Sequence, residues 1–219
     1  MQLIRRAVDL LIEAGLLDWG RVTSLQSLSP NVDFNKVALD SQVAYERVYL
    51  AGLSLRYYNL ILEDQSYLQF SISQGVSRFA YYPNPFTDPN GLLELLEDPV
   101  DFNLFDISEL EATAGRSPLR FDLAPGQYVA LRHPYAHFHL GHGELGRLAS
   151  RRVFCPLTFS MLVVRLYYPS AWSGFDFDSA DLNGFTNKLD AKFSAELTNN
   201  GEVSSAYFTR SESKVAHLK

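Results

Sequence analysis

From Tyr45 to Leu140 the chain passes through short runs dense in Val, Tyr, Leu, Ile and Phe, each closed by turn-forming residues. "SYLQFSIS" follows Glu63-Asp64-Gln65-Ser66, "SRFAYYPNPF" ends at Pro83 and Pro85, and "SPLRFDLAPGQYVALRHPYAHFHLG" folds back at Ala124-Pro125-Gly126. Short alternating runs bounded by turns are the signature of strands joined by hairpins. They restrict the fold to one built on an antiparallel sheet. "QVAYERVYLAGLSLRYYNLIL" reads as β-rich by composition, although it is also compatible with a helical start.

Helical patterns flank these runs. Leu3, Ala7, Leu10, Leu11, Ala14 and Leu17 recur at helical spacing, so residues 1–18 are expected as an amphipathic helix rather than a secretion signal. Ser29-Pro30-Asn31 breaks any helix across 19–41. "NGLLELLEDP" is a short helix within an acidic insertion over 83–112, and "CPLTFSMLVVRLYYPSAW" a buried helix starting near Pro156. One helix is expected over 178–197, then a frayed tail over 198–219. The whole, 1–219, reads as a single α+β domain: an antiparallel sheet with packed helices and an N-terminal amphipathic helix.

With 47% hydrophobic residues, the chain can bury a core without covalent help. Its lone cysteine, Cys155, excludes an intrachain disulfide and fits a reducing cytoplasm. Cys155 precedes a helix-starting proline among apolar neighbours and reads as a buried structural thiol. No run is apolar enough to span a membrane, so the expectation is a cytoplasmic chain with no membrane partner.

Charge is unevenly placed. Eight acids and no Lys or Arg lie between Pro83 and Ala112, whereas six arginines face two acids between Gly115 and Arg152. The acidic stretch is a candidate docking surface for a protein partner. The basic one carries a local balance of +4 within a chain of net charge −6, and fits an anionic ligand.

That basic stretch also holds four of the five histidines. If 131–140 is a strand, His133, Tyr135, His137 and His139 share one face, and Ala136, Phe138 and Leu140 face the core. In "RFD", Arg120 and Asp122 share a face opposite Phe121. Neighbouring strands would then present Arg120, Asp122 and three histidines together.

Three chemistries fit. In metal-free phosphodiester cleavage, His137 and His139 act as acid and base with His133 assisting. Arg120 stabilises phosphate charge, Asp122 orients an imidazole, and Arg132, Arg147 and Tyr135 bind substrate. RNA suits this chemistry because its 2′-hydroxyl is an internal nucleophile. A metal alternative uses His137, His139 and Glu144 to hold zinc or iron. A structural alternative makes the histidines ordinary hydrogen-bonding residues. No Walker loop, G-x-S-x-G, C-x-x-C or dinucleotide fingerprint occurs. The tyrosine-rich stretches read as sheet packing ahead of base-stacking platforms.

In order, Tyr81-Tyr82-Pro83-Asn84-Pro85, Arg120-x-Asp122, His133-Pro134-x-x-His137-x-His139-x-Gly141-His142 and Tyr167-Tyr168-Pro169-x-x-Trp172 resemble a bacterial domain-of-unknown-function family, the one numbered 2290. The likeness spans Tyr45 to Trp172 and implies a bacterial cytoplasmic protein, with no mechanism attached. Arg-x-Asp followed by His-x-His also resembles a pattern in small toxins of bacterial toxin–antitoxin pairs. The functional expectation is a toxin- or defence-type nuclease domain acting on RNA. The alternatives are a non-catalytic subunit of a larger complex and a mononuclear metal enzyme.

Overall fold

The computed structural model describes residues 2–87, 116–142, 146–174, 188–212 and 217–218. Residues 88–112 of the acidic insertion, with its helix and docking surface, lie outside them. Among the described residues seven strands form one sheet in chain order: β1 (Leu60–Ile61), β2 (Tyr67–Ser73), β3 (Val76–Tyr82), β4 (Leu119–Leu123), β5 (Ala136–Leu140), β6 (Arg147–Ser150) and β7 (His217–Leu218). The first six pair antiparallel, and β7 joins β6 in parallel. The chain thus has the α+β fold expected from its sequence, with a parallel strand added at one edge. At the tightest hairpin Gln74 and Gly75 both take positive φ, 45° and 82°, the pairing a type I′ turn requires.

One sheet face is apolar throughout. Phe70, Phe79, Phe121, Phe138 and Leu148 are successive cross-strand partners, a row running over five strands. Neighbouring Phe rings sit 5.1–5.9 Å apart. Helices α1 (Gln2–Glu13) and α4 (Pro156–Tyr167) cover this face with Ile4, Ala7, Leu11, Phe159, Met161 and Val163. Gly15, at φ 68°, lies just past the end of α1, which stops at Glu13 and not at 18 as expected. Cys155 precedes α4, and its backbone N–H donates to Thr158 Oγ1 at 3.0 Å, so this residue caps a helix.

On the opposite face the β2–β3 half is covered by α2 (Val32–Ala38) and α3 (Tyr45–Ser54) through Phe34, Val48, Tyr49 and Leu53. Asn31 turns the expected helix break into a helix start: its Oδ1 accepts from Phe34 N at 3.0 Å. Composition misleads over 45–54, where the β-rich run is helical, because Val48, Tyr49, Gly52 and Leu53 supply a buried stripe at helical spacing. Gly52 is needed there, since a Cβ would stand 2.0 Å from the Tyr67 hydroxyl. The tyrosine motifs serve packing: Tyr168 OH donates to Asp64 at 2.8 Å, Tyr81 and Tyr168 hydroxyls meet at 2.9 Å, and Tyr45 OH donates to the Pro83 carbonyl at 2.6 Å.

Three further expectations are corrected. The strand expected over 131–140 starts only at Ala136, because Leu131 takes φ 62° in a turn closed by a Val129–His133 bridge. After the short α5 (Pro169–Gly174), the helix expected over 178–197 is α6 (Lys188–Asn200), its earlier part lying outside the described residues. The described residues of the tail are docked and not frayed. Val203 is buried, and the buried Glu212 carboxylate accepts from Thr209 N, Leu131 N and Tyr128 OH at 2.7, 3.3 and 3.2 Å. These partners couple the tail to the β4–β5 connection.

Candidate functional site

Beyond the cover of α2 and α3 the same sheet face turns polar. Alternation forces this: Phe79, Phe121 and Phe138 point into the core, so their neighbours in sequence point away from it. Two cross-strand rows result. One runs Arg78, Asp122, His137, Ala149, and continues to the β7 position of His217. The other runs Ala80, Arg120, His139, Arg147.

Asp122 is the hub. Its Oδ1 accepts from Arg78 Nε at 3.0 Å, and its Oδ2 lies 3.2 Å from Arg120 Nε and 3.4 Å from His139 Nε2. The two imidazoles meet nitrogen to nitrogen, His137 Nε2 to His139 Nε2, at 3.0 Å. Arg120 Nη2 approaches the same His139 nitrogen at 2.8 Å. His137 Nδ1 stands 3.0 Å from the Pro134 carbonyl, which can only accept, so Nδ1 carries the hydrogen and Nε2 a lone pair. His133 packs edge-on against the His137 ring, 4.9 Å between centroids.

Burial decides the electrostatics. His137 and His139 are 1% and 3% exposed, so forming an imidazolium there is costly. Burial pushes His137 down to about 4, against the pull of Asp122. His139 is also lowered, by burial first and by the nearby Arg120 charge, against its hydrogen bond to Asp122. At neutral pH both rings are uncharged. Burial alone would raise the Asp122 carboxyl, but the His139 hydrogen bond and the Arg120 and Arg78 charges outweigh it and hold the carboxyl well below its usual range. The centre is therefore two neutral imidazoles and a carboxylate, flanked by guanidinium groups.

Two small hollows reach the polar face and share Arg120. One runs beside α2 past Phe34, Tyr57, Tyr82 and Arg78, and the other past His139 and His142. The His142 ring is held by the Val43 carbonyl, 2.8 Å from Nε2.

Arg120, Asp122, His137 and His139, singled out from sequence, are thus brought together, with His133 against His137 and Arg147 in register with His139. Two expected members are elsewhere. Tyr135 precedes the strand, packs against the apolar core and stacks on Tyr207 at 4.6 Å, so it does not share the histidine face. Arg132 is exposed in the preceding turn. Leu140, expected in the core, is 57% exposed where β5 ends. Glu144, the carboxylate of the expected metal set, lies outside the described residues. Asp122 takes its place: the donor atoms of Asp122, His137 and His139 all lie within 4.8 Å of one another. Arg78 was missed. Its alternation with Phe79 was visible, but only the β3–β4 pairing sets it beside Asp122.

No helix among the described residues is long and apolar enough to cross a membrane. No curated protein and no solved structure matches the chain. The sequence model of one family, described as an uncharacterized conserved protein, matches residues 22–219, a longer span than the motifs from Tyr45 to Trp172. The chain belongs to that family, DUF2290.

Proposed function

We propose that this chain is a nuclease domain of the bacterial toxin or defence class, acting in the cytoplasm with RNA as substrate. The observation that carries this reading is the convergence of Arg78 and Arg120 on the same buried carboxylate that touches His139. Two guanidinium groups beside neutral imidazoles suit a phosphate next to a proton acceptor. The His137 Nε2 lone pair is the base that takes the 2′-hydroxyl proton, with His133 assisting. The freed oxygen attacks phosphorus, the bond to the 5′-oxygen breaks, and that oxygen takes a proton from a water that recovers one from His137, leaving a 2′,3′-cyclic phosphate and a 5′-hydroxyl end. Arg120 and Arg78 neutralise the phosphoryl oxygens, and Asp122 holds His139 and both arginines in place.

The test is induced expression in a bacterial host, comparing wild type with His137→Ala at matched soluble levels, followed by incubation of purified protein with single-stranded RNA. Growth arrest and RNA cleavage by wild type alone are expected. Equal arrest by both proteins sinks the reading. A second reading, a non-catalytic subunit of a larger complex, is favoured by the near-complete burial of His137 and His139. It is recognised by an effect that tracks partner binding and survives His137→Ala.

A further inference from the structure

The hydrogen bonds around His139 cannot all be satisfied at once. Its Nε2 faces Arg120 Nη2 at 2.8 Å, a group that only donates. It also faces the His137 Nε2 lone pair at 3.0 Å and Asp122 Oδ2 at 3.4 Å, both of which only accept. A hydrogen on His139 Nε2 would point one donor at another. Without it, two lone pairs and a carboxylate oxygen face each other in a buried space. His139 Nδ1, shielded from solvent, has no hydrogen-bond partner among the described residues, and Arg120 Nε, though 3.2 Å from Asp122 Oδ2, is not aligned to donate to it. Buried polar groups are normally paired, and a set left this way points to an absent species.

A small cation is that species. Donor atoms held at about 2.0–2.2 Å by one divalent ion lie about 3.0 Å apart at right angles and about 3.4 Å apart at tetrahedral angles. Two separations here, 3.0 Å between the imidazole nitrogens and 3.4 Å from His139 Nε2 to Asp122 Oδ2, match those spans, and the third, 4.0 Å from His137 Nε2 to Asp122 Oδ2, has to close by about 0.6 Å on binding. The His137 ring is already oriented as metal-bound histidines are, with its far nitrogen donating to a backbone carbonyl. Two imidazoles and one carboxylate suit zinc, iron(II) or manganese, with positions left for water or substrate.

We infer that Asp122, His137 and His139 form a site for one first-row divalent cation, and that the Arg120 guanidinium stands in for it when the ion is absent. Arg120 therefore swings off His139 as the ion enters, into the hollows it lines. The inference rests on the reading of the same site only for the substrate and changes one role in it: with the ion bound, His137 Nε2 is a ligand, and water on the ion takes over as the proton acceptor. A bound ion supplies the Lewis acid that neutral imidazoles lack.

The experiment is titration of the chelator-treated full chain with Co2+, read by visible absorption and calorimetry, for wild type and four variants. Wild type is expected to bind one ion. Asp122→Ala and His139→Ala are expected to weaken binding by about 100-fold or more. Arg120→Gln removes the competing cation and is expected to tighten it. Asp33→Asn, an exposed carboxylate on α2, controls for adventitious binding and is expected to change nothing. Wild-type binding no tighter than that of Asp122→Ala and His139→Ala overturns the inference. If the alanine variants melt before they can be titrated, Arg120→Gln decides alone: tighter binding supports the site, and unchanged or weaker binding overturns it. RNA cleavage that persists in excess chelator overturns the metal site and leaves the nuclease reading standing. Cobalt bound in the expected pattern with no RNA cleaved does the reverse.

Discussion

Strands β4 and β5 carry opposite chemistries on their two sides. Phe121 and Phe138 are paired on one side; one residue along, Asp122 and His137 are paired on the other. All four are buried. The apolar side is saturated, its rings in contact with one another and with Phe154. The polar side is crowded yet incompletely satisfied, with converging acceptors held against guanidinium groups. Packed rings keep their value when nothing else is present. A buried cluster of acceptors invites a cation or an anionic ligand's counter-charge, so equal burial serves stability on one side and chemistry on the other.

Variants on the two sides sharpen this contrast. Phe121→Ala should cost the most stability, about 3–5 kcal/mol, because the ring is fully buried and its neighbours relax only in part. Denaturant unfolding checks it; a cost below that of His139→Ala would break the comparison. Asp122→Asn should cost less, about 1–3 kcal/mol, since it keeps the volume and removes the charge that Arg78 and Arg120 share. It should also abolish cobalt binding and RNA cleavage, which a Phe121 variant that remains folded should retain.

The docked tail offers a middle case. Burial pushes the Glu212 carboxyl up, but hydrogen bonds from the Thr209 and Leu131 N–H groups outweigh this and hold it below its usual range. A depressed folded-state value stabilises above the unfolded value and is lost as pH falls through the folded one. Exchange of the Leu131 and Thr209 amides should therefore accelerate as pH drops below the ordinary carboxylate range. Glu212→Gln should produce about 0.5–1.5 kcal/mol of the same opening at neutral pH. Acid-insensitive exchange, once corrected for intrinsic rates, would rule out this pin. The smallest effect is expected at Arg78, whose side chain is 45% exposed. Arg78→Met should change stability by less than about 1 kcal/mol while weakening RNA binding, measured by fluorescence anisotropy.

The sequence by itself determined the alternation. Period two in "LRFDL" and "AHFHL" requires that Arg120 and Asp122 oppose Phe121, and that His137 and His139 oppose Phe138, whatever the partner strands are. It also marked the hairpins and the α4 start. It did not determine pairing, because register depends on contacts between residues far apart in the chain. Only the β3–β4–β5 order puts Arg78, Asp122 and His137 in one row and sets the Asp122 carboxylate within 4.0 Å of both imidazoles. Composition could not choose between strand and helix for 45–54, since a buried aromatic stripe satisfies either until the sheet face it covers is known. Tyr135 fell on the wrong side for the same reason. A turn delays the strand until Ala136, one residue after Tyr135, and local alternation carries no information about where a strand begins.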